Sequence, residues 1–117
     1  MIADTNILIN EHEGNKTIEP FLKYNFGISF ISEIELLGYP DITDDEESKL
    51  RSLIQDCFEF SLNSNLKEIA INLKRKYNLK LPDAIIASTA VAYHLPLVSA
   101  DKGLVKIEEL NLILVDF

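Results

Sequence analysis

The chain opens with MIADTNILIN, residues 1–10. Three polar residues, Asp4, Thr5 and Asn6, separate the apolar run Met1-Ile2-Ala3 from Ile7-Leu8-Ile9. Ile2-Ala3 reads as a short buried strand, and Thr5 to Asn10 as the beginning of a helix. Asp4 then stands where a strand gives way to a helix. What that position means depends on whether the pattern recurs along the chain.

A strand leading into a helix recurs twice, and two further strands follow. Ile18 to Tyr24 keeps a helical register, with Ile18, Phe21 and Leu22 on one face. Phe26 to Phe30 predicts a second strand, bounded by Asn25 and Gly27. Ser32 followed three residues later by Glu35 has capping-box spacing and predicts a short helix that ends near Gly38-Tyr39-Pro40. Thr43 with Glu46 repeats that spacing, ahead of an apolar stripe of Leu50, Leu53, Ile54 and Cys57. Phe58 to Leu62 predicts a third strand, and Asn63-Ser64-Asn65 a turn or cap. The next helix carries Leu66, Ile69, Ala70 and Leu73 and ends in Lys74-Arg75-Lys76, which suits the negative end of a helix dipole. Pro82 fits the first turn of a further helix. From Asp83 to Tyr93 that helix is apolar or small nearly all round, the mark of a buried helix. Leu97-Val98-Ser99 and Leu112 to Val115 complete five strands. Short apolar strands alternating with helices argue an α/β fold, with a parallel sheet covered on both faces.

The whole chain sets bounds on this reading. Its 117 residues suit a single domain, 1–117, and a 47% hydrophobic content is enough for a real core. No apolar run approaches the roughly 20 residues that span a bilayer. The start lacks the basic stretch of a secretion signal, so the expected location is cytoplasmic. Cys57 is the only cysteine, which excludes an internal disulfide and leaves a packed, inert thiol as the expectation. One Cys with His12 and His94 does not make a structural zinc site. There are no repeats, linkers or low-complexity tracts. The net charge of −8 argues against holding nucleic acid by bulk charge. The acids either coat the surface, or some of them converge and hold a cation.

Position sorts the acids. In a doubly wound sheet, ligands sit beyond the carboxyl ends of the strands. Asp4 follows strand one, Glu35 lies on the helix after strand two, Asp83 opens the buried helix, and Asp101 follows strand four. Asp44, Asp45, Glu46 and Glu47 instead crowd a helix start, where negative charge is solvated and favoured. Each site candidate also has a plain structural reading. Asp4 and Asn6 suit caps or turns, Glu35 suits a capping-box partner for Ser32, Asp83 suits the helix dipole, and Asp101 suits a turn before Gly103. Four converging carboxylates would demand protons or a cation. Mg²⁺ or Mn²⁺ prefers oxygen ligands, and such a centre hydrolyses phosphodiesters.

DTNILI (Asp4–Ile9), ISEIELLGYP (Ile31–Pro40), LPDAIIASTAVAYHLPLVSAD (Leu81–Asp101) and the closing apolar strand resemble PIN domains, above all the VapC-like toxins of bacterial and archaeal toxin–antitoxin pairs. The resemblance covers essentially the whole chain, with the motifs in the family's order. It implies a three-layer α/β/α sandwich with a short, mainly parallel sheet of four or five strands. It implies a metal-dependent endoribonuclease whose Asp4, Glu35, Asp83 and Asp101 hold one or two Mg²⁺ or Mn²⁺ ions. Asn6, with Ser99, would help orient water or a carboxylate. RNA as substrate, an antitoxin protein as partner, and a homodimer follow from the same resemblance. Two features depart from the family's pattern. The lead before Asp4 is short, and Gly103-Leu104 stands where many relatives carry Asp-Phe, which bears on Asp101. A non-catalytic binding module and a housekeeping RNA-processing nuclease share the fold and stay open. A phosphatase with an aspartyl nucleophile would place a second Asp two residues after the first, where this chain has Asn6.

Overall fold

The computed structural model describes residues 1–14 and 26–116. Strand β1 (Ile2–Ala3) has only two residues, yet it is the centre of a five-stranded sheet. It pairs in parallel with β2 (Gly27–Ser29) on one side and β4 (Leu97–Ser99) on the other. β3 (Phe58–Phe60) lies outside β2 and β5 (Leu112–Leu114) outside β4, giving the order β3-β2-β1-β4-β5, all parallel. Main-chain bonds hold β1 from both sides: Ile2 N donates to Pro96 O at 2.8 Å, Gly27 N to Met1 O at 2.8 Å, and Asp4 N to Val98 O at 2.9 Å. Two residues suffice because the pleat sends them to opposite faces. Ile2 enters the core beneath one helical layer and Ala3 the core beneath the other, both fully buried.

Helices α1 (Thr5–His12), α2 (Phe30–Leu37) and α3 (Asp44–Gln55) supply Ile7, Leu8, Leu36, Leu50 and Ile54 to Ala3's side. Helices α4 (Ser64–Tyr77) and α5 (Leu81–Ala92), with a 3₁₀ turn at Lys102–Lys106, supply Leu73, Ala84, Ile86, Ala87, Ala90 and Leu104 to Ile2's side. This is the expected three-layer sandwich. Helix α5 is buried from Ala84 to Ala90, and its two polar residues there stay satisfied by bonding back to their own helix. Ser88 Oγ and Thr89 Oγ1 donate to Ile85 O at 2.9 and 2.8 Å. No helix among the described residues is long and apolar enough to cross a membrane.

Several boundaries differ from expectation. The helical register at Ile18–Tyr24 lies outside the described residues. Gly27 does not bound β2 but sits inside it, because a β-carbon there would come within 2.5 Å of the Phe60 ring. The capping box at Ser32 does not form. Ser29 ends β2 in extended geometry and caps α2 directly, accepting from Ile31 N at 3.3 Å, so Ser32 is carried inside the helix and buried. At Thr43 the cap does form, Glu46 N donating to Thr43 Oγ1 at 3.1 Å, while the return bond runs between the side chains, Thr43 Oγ1 to Glu46 Oε1 at 3.1 Å, rather than from the Thr43 backbone. β3 ends at Phe60 rather than Leu62, and Asn63 is the cap of α4, accepting from Leu66 N at 2.9 Å. Half-buried Cys57 donates its thiol to Leu53 O.

Candidate active site

Because all five strands are parallel, their carboxyl ends share one edge of the sheet. Asp4 leaves that edge immediately after β1. It is 7% exposed, and both of its oxygens are held. Oδ1 accepts from Thr5 N at 2.8 Å and Oδ2 from Ser99 Oγ at 2.6 Å. Ser99, the last residue of β4, is fully buried and also accepts from Asp101 N at 3.0 Å. One hydroxyl thus ties the acid after β1 to the backbone of the acid after β4.

Asp101 caps the 3₁₀ turn, its Oδ1 accepting from Gly103 N at 2.8 Å. The structural role expected for it is present, and half of its carboxylate is left over. Glu35 is exposed on α2, and Thr5 Oγ1 donates to its Oε1 at 2.8 Å while meeting Ser32 Oγ at 3.0 Å. Thr5 and buried Ser32 therefore connect α1 to α2 beside Asp4. Asp83 is half-buried in the first turn of α5. Asn6 Oδ1 is a buried oxygen without a hydrogen-bond partner. A buried acceptor left unmade is costly, and here it belongs to the residue two beyond Asp4.

The electrostatics show which acids face one another. Burial pushes Asp4 above the usual aspartate range; the Ser99 hydroxyl and the Thr5 amide pull it back, and the charge of Asp101 adds to the rise. Burial also raises Asp83, followed by the charges of Asp101, Asp4 and Glu35, against a smaller pull from Lys80. The other three predicted acids are thus within electrostatic reach of Asp83. Their oxygens do not already close on one point: among the described residues, no three His, Cys, Asp or Glu side chains form a metal-ligating group. An ion held by three or more of these side chains would require movement from these positions, whereas one or two carboxylates with water suffice for Mg²⁺.

The sequence reading missed Thr5 and gave Ser32 the wrong task. The available signal was the DTN triplet: a hydroxyl directly after a strand-end acid sits on the edge where Glu35 arrives.

The fold and this edge define a class: a doubly wound α/β protein whose acids gather where the strands end. Within it, the chain belongs to the PIN domain family, whose model matches residues 1–110. Solved structures agree. A toxin–antitoxin complex from Klebsiella pneumoniae is 27% identical with a TM-score of 0.82, covering 96% of this chain and 94% of that one. VapBC2 from Rickettsia felis, bound to a DNA fragment from its promoter, is 20% identical with a TM-score of 0.83, covering 98% of each chain. VapBC-5 from Mycobacterium tuberculosis is 13% identical with a TM-score of 0.72, covering 99% of this chain and 97% of that one. A search among curated proteins gives no match.

Proposed function

We propose that this PIN domain is a divalent-metal-dependent endoribonuclease and the toxin of a toxin–antitoxin pair. The observation that carries the reading is the edge itself. Charges on Asp4, Glu35 and Asp101 all act on Asp83, and a buried oxygen of Asn6, two residues after Asp4, has no partner among the described residues.

The donor set is all oxygen, which fits Mg²⁺ or Mn²⁺ and not a soft metal. The unpartnered Asn6 oxygen fits a site completed by something other than protein. Asp4, Glu35, Asp83 and Asp101 would hold the ion. When bound, it offsets the charge that develops on a phosphodiester and makes water easier to deprotonate. The remaining work is the chain's own. Ser99 and the Thr5 amide fix the Asp4 carboxylate, so it cannot rotate away. Ser99 sets Asp101 relative to Asp4, and Thr5 holds Glu35 at the rim. Asn6 Oδ1 can accept a hydrogen bond from water and so orient it.

The toxin reading draws on the three neighbours, each solved as a toxin–antitoxin system. It also draws on a groove of about 320 Å³ between α1, α2 and α3. Ile9, Leu36, Tyr39, Ile42 and Leu50 line it, with Glu13, Glu35 and Glu46 at its rim. That chemistry suits a basic amphipathic segment of an antitoxin. A homodimer belongs to the same reading.

The test is cleavage of single-stranded RNA with Mg²⁺ or Mn²⁺, abolished by EDTA and by Asp83→Asn. Metal-independent cleavage, or full activity of Asp83→Asn, overturns the assignment. A non-catalytic binding module is favoured by one fact, the lack of a preformed ligand group among the described residues. It predicts no heat of specific divalent binding in calorimetry. Growth arrest on expression, relieved by a co-expressed neighbouring gene, separates a toxin from a housekeeping nuclease.

A further inference from the structure

Five of the eleven Lys and Arg residues, Lys67, Lys74, Arg75, Lys76 and Lys80, fall between positions 67 and 80, where only one of the nineteen acids, Glu68, stands. In a chain of net charge −8 this is a local reversal of sign. A basic last turn steadies a helix against its dipole. That accounts for cations at positions 74–76, at the end of α4, but not for Lys67 in its first turn or Lys80 beyond its end.

Pairing separates most of these cations from those on α3. On α3, Lys49 sits 3.0 Å from Asp45 and Arg51 2.9 Å from Glu47. Lys76 sits 3.5 Å from Glu109, with its ammonium 5.2 Å from the Tyr77 ring centroid. Lys67, Lys74 and Arg75 are exposed and make no ion pair among the described residues. Helical spacing puts them on one side of α4: Lys67, Ile71, Lys74, Arg75 and Asn78 recur at three- and four-residue steps. Ile71, Lys74, Arg75 and Asn78 line a shallow hollow of about 330 Å³. From Lys67 to Asn78 the helix rises about 16 Å. It then passes through Leu79 and Lys80 into α5, where the Lys80 charge acts on Asp83. The strip therefore starts beside the carboxylate edge and leads away from it.

We propose that Lys67, Lys74, Arg75 and Lys80 bind the phosphates of single-stranded RNA flanking the cleaved bond, and that α4 is the substrate track. This rests on the nuclease reading above. Charge complementarity selects the occupant. The acids elsewhere repel a polyanion, and the unpaired cations of this strip offer it a favourable path to the site. These are positioning residues and take no part in the chemistry.

The experiment measures cleavage of a fluorescent single-stranded RNA with Mg²⁺ across a salt series from about 50 to 300 mM. In Lys74→Gln/Arg75→Gln, KM rises about 5–10-fold at low salt and kcat stays within about twofold. The slope of log KM against log salt falls by about 1.4, the value for two lost phosphate contacts on a single strand. The control Lys49→Gln/Arg51→Gln, which removes the same charge from α3, leaves KM within about twofold. Unchanged KM and salt slope in the α4 variant, with the parent active, overturn the track and leave the nuclease reading intact. A parent that neither binds nor cleaves RNA overturns both. A variant that keeps RNA kinetics but loses capture of the protein from a co-expressed neighbouring gene makes α4 a protein-binding face, which also overturns the proposal.

Discussion

Two groups of acids in this molecule have similar chemistry and opposite circumstances. Asp44, Asp45, Glu46 and Glu47 are contiguous in the first turn of α3. The cap at Thr43 closes that turn, and Lys49 and Arg51 pair with Asp45 and Glu47 one turn on. Helix dipole, solvent and neighbouring cations all accommodate negative charge at such a helix start. Asp4, Glu35, Asp83 and Asp101 come from four separate places in the chain and meet at the strand ends. At Asp4 and Asp83 burial and neighbouring carboxylates disfavour the charge, and at Asp83 a smaller pull from Lys80 opposes them. Density of charge in the sequence therefore marks structure, and its convergence in space marks the candidate site.

The contrast breaks most visibly in activity. Asp83→Asn should lower RNA cleavage about 100-fold or more, the usual scale for losing one electrostatic element of a transition-state site. Asp45→Asn should stay within about twofold. Stability should move the other way. Asp4 and Asp83 hold protons more tightly folded than unfolded, so their stabilising contribution is complete below the ordinary aspartate pKa of about 3.9 and is lost as pH rises through their higher folded values. Metal-free Asp83→Asn should therefore match the parent near pH 3.5 and melt higher than it at pH 7. Equal melting at pH 7 would show that the strand-end charges do not repel as described.

Metal sharpens the same comparison. A divalent ion at 100 times its Kd stabilises the folded state by about 2.7 kcal/mol. For a domain of this size that is a rise in Tm of roughly 5–15 °C. The parent should show it in a thermal-shift titration with Mn²⁺, Asp4→Asn should lose it, and Glu47→Gln should keep it. A shift retained by Asp4→Asn would place the binding among the α3 acids instead.

Ser99 links the carboxylate edge to the fold. Ser99→Ala removes the donor to the buried Asp4 Oδ2, leaving an acceptor unpaired at a cost of about 1–3 kcal/mol. Because that bond lowers the Asp4 pKa, its loss raises it, and the acid limb of the cleavage profile should move to higher pH. Ser99→Cys, close in size but a weaker donor, should fall between the two.

Local chemistry made most elements legible in the sequence. β4 came out with its observed bounds because the LVS run is isolated by Pro96 before it and a polar turn after it. Pro82 and the all-round apolar pattern placed α5. Errors arose where two tasks fall on one residue or where a partner is remote. Ser29 ends β2 and caps α2 together, so the capping signal was displaced to Ser32. Gly27 looked like a turn because the reason for it is the Phe60 ring of the next strand, 33 residues away. The strand-end rule singled out the carboxylates as candidates. The Thr5–Glu35 and Ser99–Asp4 bonds were not readable, since they join residues 30 and 95 positions apart.

The smallest expected effect tests the structural group of acids alone. Thr43→Ala removes the hydroxyl that accepts from Glu46 N and donates to Glu46 Oε1, so the cap and its side-chain bond are lost together. Caps of this kind contribute about 1 kcal/mol. The α3 ion pairs, with side chains between 43% and 77% exposed, each contribute less than about 0.5 kcal/mol and cannot make up the difference. The variant should melt a few degrees lower by circular dichroism. Its cleavage rate and metal-induced Tm shift should match the parent's, because α3 packs through Leu50 and Ile54 well inside the helix and fraying of its first turn leaves those contacts in place. A loss of activity larger than the loss of stability would mean that the two groups of acids are coupled. The groove rim, where Glu46 of α3 and Glu35 of α2 line the same cavity, is the place such coupling would run.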